Sequence, residues 1–476
     1  MKHLSIWTVT ALAVVNACGQ PLPPTQVPVK SDARTYLYSR QARVEGETNR
    51  PRGDNSASKG SGTMTWEVQV AKSGDYEVGL CHAAPAGAAG EELQIASSGH
   101  QIRYTVRPTE GAFRNANYEM VPVLGSLPLA AGKQTVILSL PTAPAGKPKL
   151  TFHSLELTPS SAKPAIEADE AEARSSRAST EWLAKAGYGL MFHWTSASVG
   201  QDGTRKPFSQ GVDEFPVKSF VEMVESTGAG YVLFTVGHDQ PYCPAPLSSW
   251  EKHFPGKTAK RDLIMELAEA LNAKGIKLMC YLASHTVGGG SRTASQAEFT
   301  TTMTDILTEF GERYGNKVAG FWFDGFNGVF EKYPDFPFRD FFKLCKVGNP
   351  QRIIALNAWI YPNVSPWQEY WAGEQEYTGG KPAGPFALPV NGTNPRGPGQ
   401  GLRYQALITM EPYWIQEKAE MPKPTFSAQA LGDYISGCMK NGGAVTINLG
   451  IYQDGSVDPR AVDVLKEVRK RIRNEN

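Results

Sequence analysis

The sequence predicts a (β/α)8 TIM-type barrel preceded by a β-sandwich domain, and three observations carry that prediction. From residue 187 onward, eight short apolar runs recur, several of them separated by stretches of helical periodicity. Between 35 and 158, segments of alternating hydrophobicity are punctuated by Gly, Ser and Pro turns, the pattern of a sandwich. A chain of 476 residues also exceeds what one ordinary core holds, so two domains are expected.

Taken in order, the chain opens on MKHLSIWTVTALAVVNACGQ. Lys2 and His3 form a short polar start, and the apolar run from Leu4 to Val15 is too short to span a bilayer as a stable helix. Residues 1–18 therefore read as a bacterial-type export signal. The end, VVNAC, resembles a lipobox with Ala17 before Cys18, which makes Cys18 the expected lipidation site. Asn16 is unusual in that motif, so ordinary signal cleavage stays open. Gly19 does not look like an inner-membrane retention signal, which favours an outer-membrane lipoprotein facing the periplasm or the surface. Residues 19–34, GQPLPPTQVPVKSDAR, are proline-rich and read as a tether.

TMTWEVQV, GDYEVGLCHA, ELQIAS, QIRYTV, QTVILSL and KLTFHSLELT are the strand candidates of the sandwich, 35–158. SGDYEVGLCHAA followed by ELQI resembles the small carbohydrate-binding modules attached to many secreted glycosidases; a sandwich without a ligand is the alternative. Residues 159–186 begin PSSAKPAIEADEAEARSSRAS and read as a linker or short surface helix. The second domain, 187–476, offers GLMFHW, GYVLFTVGH, KLMCYL, AGFWFDG, RIIALN, EYWAGEQ, LITMEPY and AVTINLG as strands. Between them, RDLIMELAEALNAKG places Leu263, Ile264, Leu267 and Leu271 on one helical face and stops at Gly275. AEFTTTMTDILTEFGERYG and SAQALGDYISGCMKNGG follow the same pattern.

Several function classes are disfavoured by composition. Lys+Arg 48 against Asp+Glu 47 leaves a net charge of +1, which gives no electrostatic case for nucleic acid or an acidic membrane as partner. Contact with a membrane is expected only through the lipid anchor. Beyond Cys18, the five cysteines Cys81, Cys243, Cys280, Cys345 and Cys438 show no CxxC and no metal spacing. Cys280 and Cys438 sit in apolar stretches as buried thiols, while one or two disulfides are open to an exported chain. His193, His238 and His285 fall in no ligand-spaced motif, and GGGSR lacks the Lys-Ser/Thr of a phosphate loop, so neither metal nor cofactor is expected.

The strand assignment gives the polar residues their meaning. His193, His238, Tyr281, Asp324, Asn357, Glu374 and Glu411 all fall at or just past the C-terminal end of a predicted strand, the face that carries the active site in this fold. Carboxylates, histidines and aromatics on one rim suit glycoside hydrolysis, which needs one carboxylate as nucleophile and a second group as acid/base. Asp324 followed by Gly325 is also a common turn pair, and both readings apply to it.

Over about 187–470 the sequence resembles the α-L-fucosidases of glycoside hydrolase family 29. GYGLMFHW, GAGYVLFTVGHDQ, DLIMELAEALNAKGIKLMCYLAS, FWFDG, YWAGEQ and KNGGAVTINLGIYQDGSVDP carry the resemblance, FWFDG and the last being the most specific. The resemblance implies a retaining, exo-acting hydrolase of terminal sugars on oligosaccharides or glycoconjugates. Asp324 would be its nucleophile, Glu374 its acid/base, and His193, His238, Asp239, Tyr281, Trp322, Asn357 and Glu411 its sugar contacts. Glu369 and Glu376 lie close to Glu374 in sequence, and Glu411 stands elsewhere on the rim, so the acid/base has alternatives.

Departures from the family pattern are specific. Its double histidine becomes His238-Asp239, its N-N-R strand reads LNAW with Ala358 or Trp359 in place of the arginine, and its W-E becomes Met410-Glu411. L-galactose, sulfated fucose or sialic acid are therefore alternatives to fucose, and a non-catalytic glycan-binding surface protein is an alternative of another class. Asn363 and Asn391 match glycosylation sequons, a reading the bacterial-type signal disfavours.

Overall fold

In the computed structural model the chain divides into two compact units between Ala168 and Asp169. The structure describes residues 26–46, 58–59, 62–84, 86–108, 119–140, 150–238, 240–288, 294–333, 335–357, 365–374, 377–378, 381–382 and 400–473. The export signal with Cys18, and with them Asp239, Ala358, Trp359, Asn363, Glu376 and Asn391, lie outside that set.

The first unit is a sandwich of two mainly antiparallel sheets. One sheet runs in the order 27–29, 62–70, 132–140, 92–97, 100–105, with 43–46 added on 62–70; the other runs 35–38, 151–159, 74–83, 119–129. Alternation along Gly62–Val70 buries Met64, Trp66, Val68 and Val70, which pack with Val78, Leu80, Phe152 and Leu155 of the other sheet. The Trp66 indole donates to the Tyr38 carbonyl at 2.8 Å, satisfying a polar group that burial would otherwise orphan.

Two features differ from expectation. Val27–Val29, inside the stretch read as tether, is a strand paired in parallel with Val68–Val70. Val27 and Val29 are buried while Pro28 between them faces out, so at the sheet edge its missing N–H loses no partner. Glu119–Leu129 is a strand that the periodicity hid, because Pro122, Gly125 and Pro128 interrupt it. It too lies at a sheet edge, where proline is tolerated.

Within 159–186, read as a linker or short surface helix, helices span Lys163–Ser176 and Glu181–Ala186. Among the described residues of the second unit, eight parallel strands form one sheet. They are β1 Tyr188–Phe192, β2 Tyr231–Gly237, β3 Lys277–Ala283, β4 Val318–Asp324, β5 Ile353–Leu356, β6 Tyr370–Glu374, β7 Arg403–Thr409 and β8 Ala444–Asn448. Successive strands are neighbours from β1 to β5, and β8 pairs with β1. That order is the (β/α)8 barrel. Burial on both faces makes β1, β2, β7 and β8 wholly buried, and this is why they appear as continuous apolar runs. Met191, Leu233, Tyr281, Trp322, Tyr370 and Leu407 are among the side chains filling the core.

The intervening helices start where short polar side chains cap them. Asp262 accepts from the Met265 amide at 3.0 Å, Ser295 and Glu298 form a capping box, and Ser427 caps the helix Ala428–Lys440.

The seam between β5 and β6 is closed by side chains as well as backbone. The Glu369 amide donates to the Ile354 carbonyl at 2.9 Å. In return the Ile354 and Leu356 amides donate to the carboxylate of Glu369 at 2.8 Å and the amide oxygen of Gln368 at 3.0 Å. Burial pushes the Glu369 carboxyl above the usual range, with the Lys346 ammonium paired to it acting against that shift. Glu369 precedes β6, so it stands at the opposite end of the barrel from Asp324 and is removed as an acid/base candidate. Lys346→Met leaves this carboxylate buried without its cation. The expected loss of stability is about 3–5 kcal/mol, read as a lowered thermal unfolding midpoint.

Cys81, Cys243, Cys280, Cys345 and Cys438 are all buried free thiols, so none of the five forms a disulfide. Burial raises every one of these thiols, which makes them inert packing groups. No described helix is long and apolar enough to cross a membrane.

Candidate active site

Asp324 is the last residue of β4, half-buried, and both carboxylate oxygens are held. The Tyr281 hydroxyl donates to Oδ2 at 2.7 Å, while the Asn357 side-chain amide and the Gly325 backbone N–H each donate to Oδ1 at 2.7 Å. Three strands supply this arrangement: β3 through Tyr281, β4 through Asp324, and the residue after β5, Asn357. Asn357 is fixed in turn by its own backbone, donating to the Phe323 carbonyl at 2.7 Å and accepting from Phe326 at 2.9 Å.

Gly325 turns the chain out of the strand at φ +70, and a Cβ there would lie 2.8 Å from the Ser284 hydroxyl oxygen. The turn reading of Asp-Gly and the site reading of Asp324 thus hold together, because the turn aims the Gly325 amide at the carboxylate. Tyr281→Phe removes one of the three donors. A hydrogen bond to a charged group contributes about 1.5–3 kcal/mol, so kcat/KM is expected to fall roughly 10- to 150-fold, without a comparable loss of thermal stability.

Around the carboxylate stands a wall of rings. Trp322 stacks on Tyr281 with centroids 5.3 Å apart, and His238 stacks on the same tyrosine at 5.7 Å. His193 meets Tyr281 at 4.9 Å and His238 edge-on at 5.3 Å. His193 is buried, and its Nδ1 shares a 2.7 Å hydrogen bond with Asn448 Oδ1 at the end of β8. The Asn448 amide donates its other side to the Trp414 carbonyl at 3.1 Å, and the half-buried Trp414 ring lies 5.3 Å from His193. Asn448 is thus a second support that fixes the imidazole.

The structure therefore brings together His193, His238, Tyr281, Trp322, Asp324 and Asn357 from the predicted set. Glu374 ends β6 with its backbone opposite Leu407 of β7, and its side chain, like the whole of Asp239, is not among the described parts. Glu411, two residues beyond β7, is buried and bonded elsewhere: its Oε2 accepts from the Gly450 amide at 2.7 Å. Its Oε1 is buried with no hydrogen-bond partner among the described residues. Burial pushes this carboxyl up to about 7, against the opposing Gly450 hydrogen bond. A group so placed holds its proton near neutrality. Trp414, Asn448 and His285, whose ring lies 5.7 Å from that of His238, are members of the site that the strand-end reading left out. Asn448 was visible as the polar end of AVTIN, whereas Trp414 sits in an irregular loop with no periodicity to mark it. Among the described residues, no group of three or more His, Cys, Asp or Glu is arranged to hold a metal ion.

Comparison with known proteins bears on the whole unit. A family model described as alpha-L-fucosidase matches residues 207–474, more than half of the chain. Among curated proteins, "Putative alpha-L-fucosidase 1" of Oryza sativa subsp. japonica is 25% identical over 268 residues, which are 52% of this chain and 49% of that protein. The chain thus spans about half the length of this curated relative. Among solved structures, an α-L-fucosidase of Bacteroides thetaiotaomicron trapped as a covalent intermediate is 16% identical with a TM-score of 0.48, over 63% of this chain and 77% of that one. An α-L-fucosidase of Lactobacillus casei in complex with its α-L-fucose product is 16% identical with a TM-score of 0.45, over 62% and 97%. With the family model spanning most of the barrel unit, the chain belongs to the alpha-L-fucosidase family.

Proposed function

We propose that this protein is an exo-acting, retaining glycoside hydrolase that removes a terminal α-L-fucose from glycans by double displacement. One observation carries the reading: a carboxylate at the barrel's C-terminal rim, held by three donors and walled by Tyr281, Trp322, His193 and His238. Donors aimed at both oxygens of Asp324 hold its carboxylate in one orientation and fix the direction of attack on the anomeric carbon. The aromatic and imidazole faces supply an apolar surface for the sugar ring with polar edges for its hydroxyls. The acid/base must protonate the departing oxygen and then activate water, which needs a carboxyl that keeps its proton near neutral pH.

Glu374 is the acid/base implied by the resemblance. Glu411 is the second reading, favoured by its proton affinity and by an Oε1 that is buried with no hydrogen-bond partner among the described residues. The leader and Cys18 support an exported lipoprotein acting outside the cytoplasm, and the sandwich is proposed as an accessory glycan-binding module.

The test is an assay on aryl α-L-fucoside beside aryl glycosides of L-galactose, sulfated fucose and sialic acid, together with glycan binding. Cleavage of the fucoside, lost in Asp324→Asn, is expected. A protein that cleaves none of them yet binds glycans equally well with Asn at 324 contradicts the reading.

A further inference from the structure

Of the predicted sugar contacts, His193 is the one whose surroundings decide where its proton sits. The ring is buried. Among the described residues, the titratable groups facing it are His238 from the end of β2 and Tyr281 of β3, with Asp324 one hydrogen bond beyond Tyr281. Trp414, from the loop after β7, packs on it without charge. Asn448, fully buried at the end of β8, reaches it with a side-chain amide. The Asn448 backbone is locked: it lies opposite Met191 of β1 and Thr409 of β7, and its carbonyl accepts from the Met410 amide at 2.8 Å.

The two groups that this amide meets fix its orientation. Nδ2 lies 3.1 Å from the Trp414 carbonyl oxygen, which can only accept, so the NH2 points there. Oδ1 then faces His193 Nδ1 at 2.7 Å, and an amide oxygen also can only accept. A flipped amide would instead set two oxygens against each other at the Trp414 carbonyl. The hydrogen between Asn448 and His193 therefore belongs to Nδ1 of the imidazole. Burial beside a neutral amide, rather than a carboxylate, favours the uncharged ring. In an uncharged imidazole protonated on Nδ1, Nε2 is the lone-pair nitrogen.

We propose that Asn448 is a positioning residue that holds His193 as the neutral Nδ1–H tautomer, so that the imidazole enters sugar binding as a hydrogen-bond acceptor. The inference rests on the reaction proposed above, and deepens it. The tautomer is set at Nδ1 and holds whatever Nε2 meets; any group there must supply the hydrogen. A sugar hydroxyl can do so, whereas the oxygens of a sulfate ester or a carboxylate have none to give at neutral pH. The tautomer thus suits a terminal sugar that brings a free hydroxyl to this imidazole.

The test is nitrogen NMR of the whole protein carrying isotope-labelled histidine, with the His193 signals assigned by their loss in His193→Gln. At neutral pH, Nδ1 is expected to be protonated and Nε2 unprotonated. Saturating L-fucose is expected to shift the Nε2 signal while Nδ1 keeps its proton. Kinetics on 4-nitrophenyl α-L-fucoside give the second readout. Asn448→Asp sets a carboxylate beside the ring and favours imidazolium, so the neutral ring is lost at a higher pH on acidification. The acidic limb of kcat/KM is expected to move up by about 1–3 pH units. Asn448→Leu, which cannot accept, is expected to lose the Nδ1–H pattern and about tenfold in kcat/KM. An Nε2–H ring or an imidazolium in the neutral wild type, or an Nε2 signal indifferent to bound fucose, overturns the inference. So does an Asn448→Asp profile that is lowered equally at every pH and not moved. The two readings fail separately: wild-type protein that neither binds fucose nor cleaves fucosides contradicts the reaction, whereas a different tautomer in a protein that cleaves them contradicts only this inference.

Discussion

Asp324→Asn is expected to lower kcat/KM by at least about a thousandfold, the largest effect of any single substitution in this protein. The loss has two parts. Removing the carboxylate removes the proposed nucleophile. In addition, the Tyr281 hydroxyl, the Asn357 amide and the Gly325 amide all point donors at the carboxylate. An Asn side chain must set its own NH2 against one side of that arrangement, so some misorientation accompanies the lost chemistry. Asp324→Gly separates the parts, because it opens space at the anomeric carbon for a small external nucleophile. With an activated aryl fucoside, added azide is expected to restore turnover of the Gly variant and give a glycosyl azide of inverted configuration. Failure of any small nucleophile to restore turnover, in a variant that still binds fucose, counts against direct attack by Asp324.

Loss of the acid/base is expected to have the second largest effect, and Glu411→Gln tests the second reading of that group. If Glu411 supplies the proton, kcat/KM for substrates with poor leaving groups falls roughly 10²- to 10⁴-fold, and much less for dinitrophenyl leaving groups that need no proton. The pH dependence follows from the shift. With the folded-state value at about 7, the protonated acid is present below that pH and activity declines above it; the Gln variant loses this limb. Stability follows the same linkage. The carboxyl is raised from an ordinary value of 4.5, so the folded state binds the proton more tightly than the unfolded chain. The stabilisation is fully present below about 4.5 and is lost as pH rises through about 7, and Gln removes that dependence. Glu374→Gln is the necessary companion. A vanished basic limb in that variant, with Glu411→Gln retaining it, assigns the proton to β6 instead.

Much of this architecture is legible in the sequence for a physical reason. Strands buried on both faces must be apolar throughout, so YVLFTVG and AVTIN announce themselves, and the polar residue that follows each run marks the rim. Asp324, Tyr281, His193 and Asn357 were found by that rule alone. What the rule cannot find is a residue placed by a loop. Trp414 reaches His193 from an irregular stretch, and His285 owes its position to two hydrogen bonds made by its neighbours. The proton affinity of Glu411 is equally hidden, since it arises from burial, against an opposing amide, that of Gly450, 39 residues away. In the sandwich, Glu119–Leu129 escaped because its prolines and glycine are permitted only by its place at a sheet edge.

The central claim is that Asp324 forms a covalent bond to the sugar. The direct measurement is mass spectrometry of peptides from protein treated with 2-deoxy-2-fluoro-fucosyl fluoride, whose fluorine slows both steps and whose good leaving group lets the first proceed. One fluorofucosyl group per chain is predicted, on the peptide containing FWFDG and at Asp324. A label on Glu374, Glu411 or any other residue, or continued turnover of this reagent with no covalent adduct, would contradict the account.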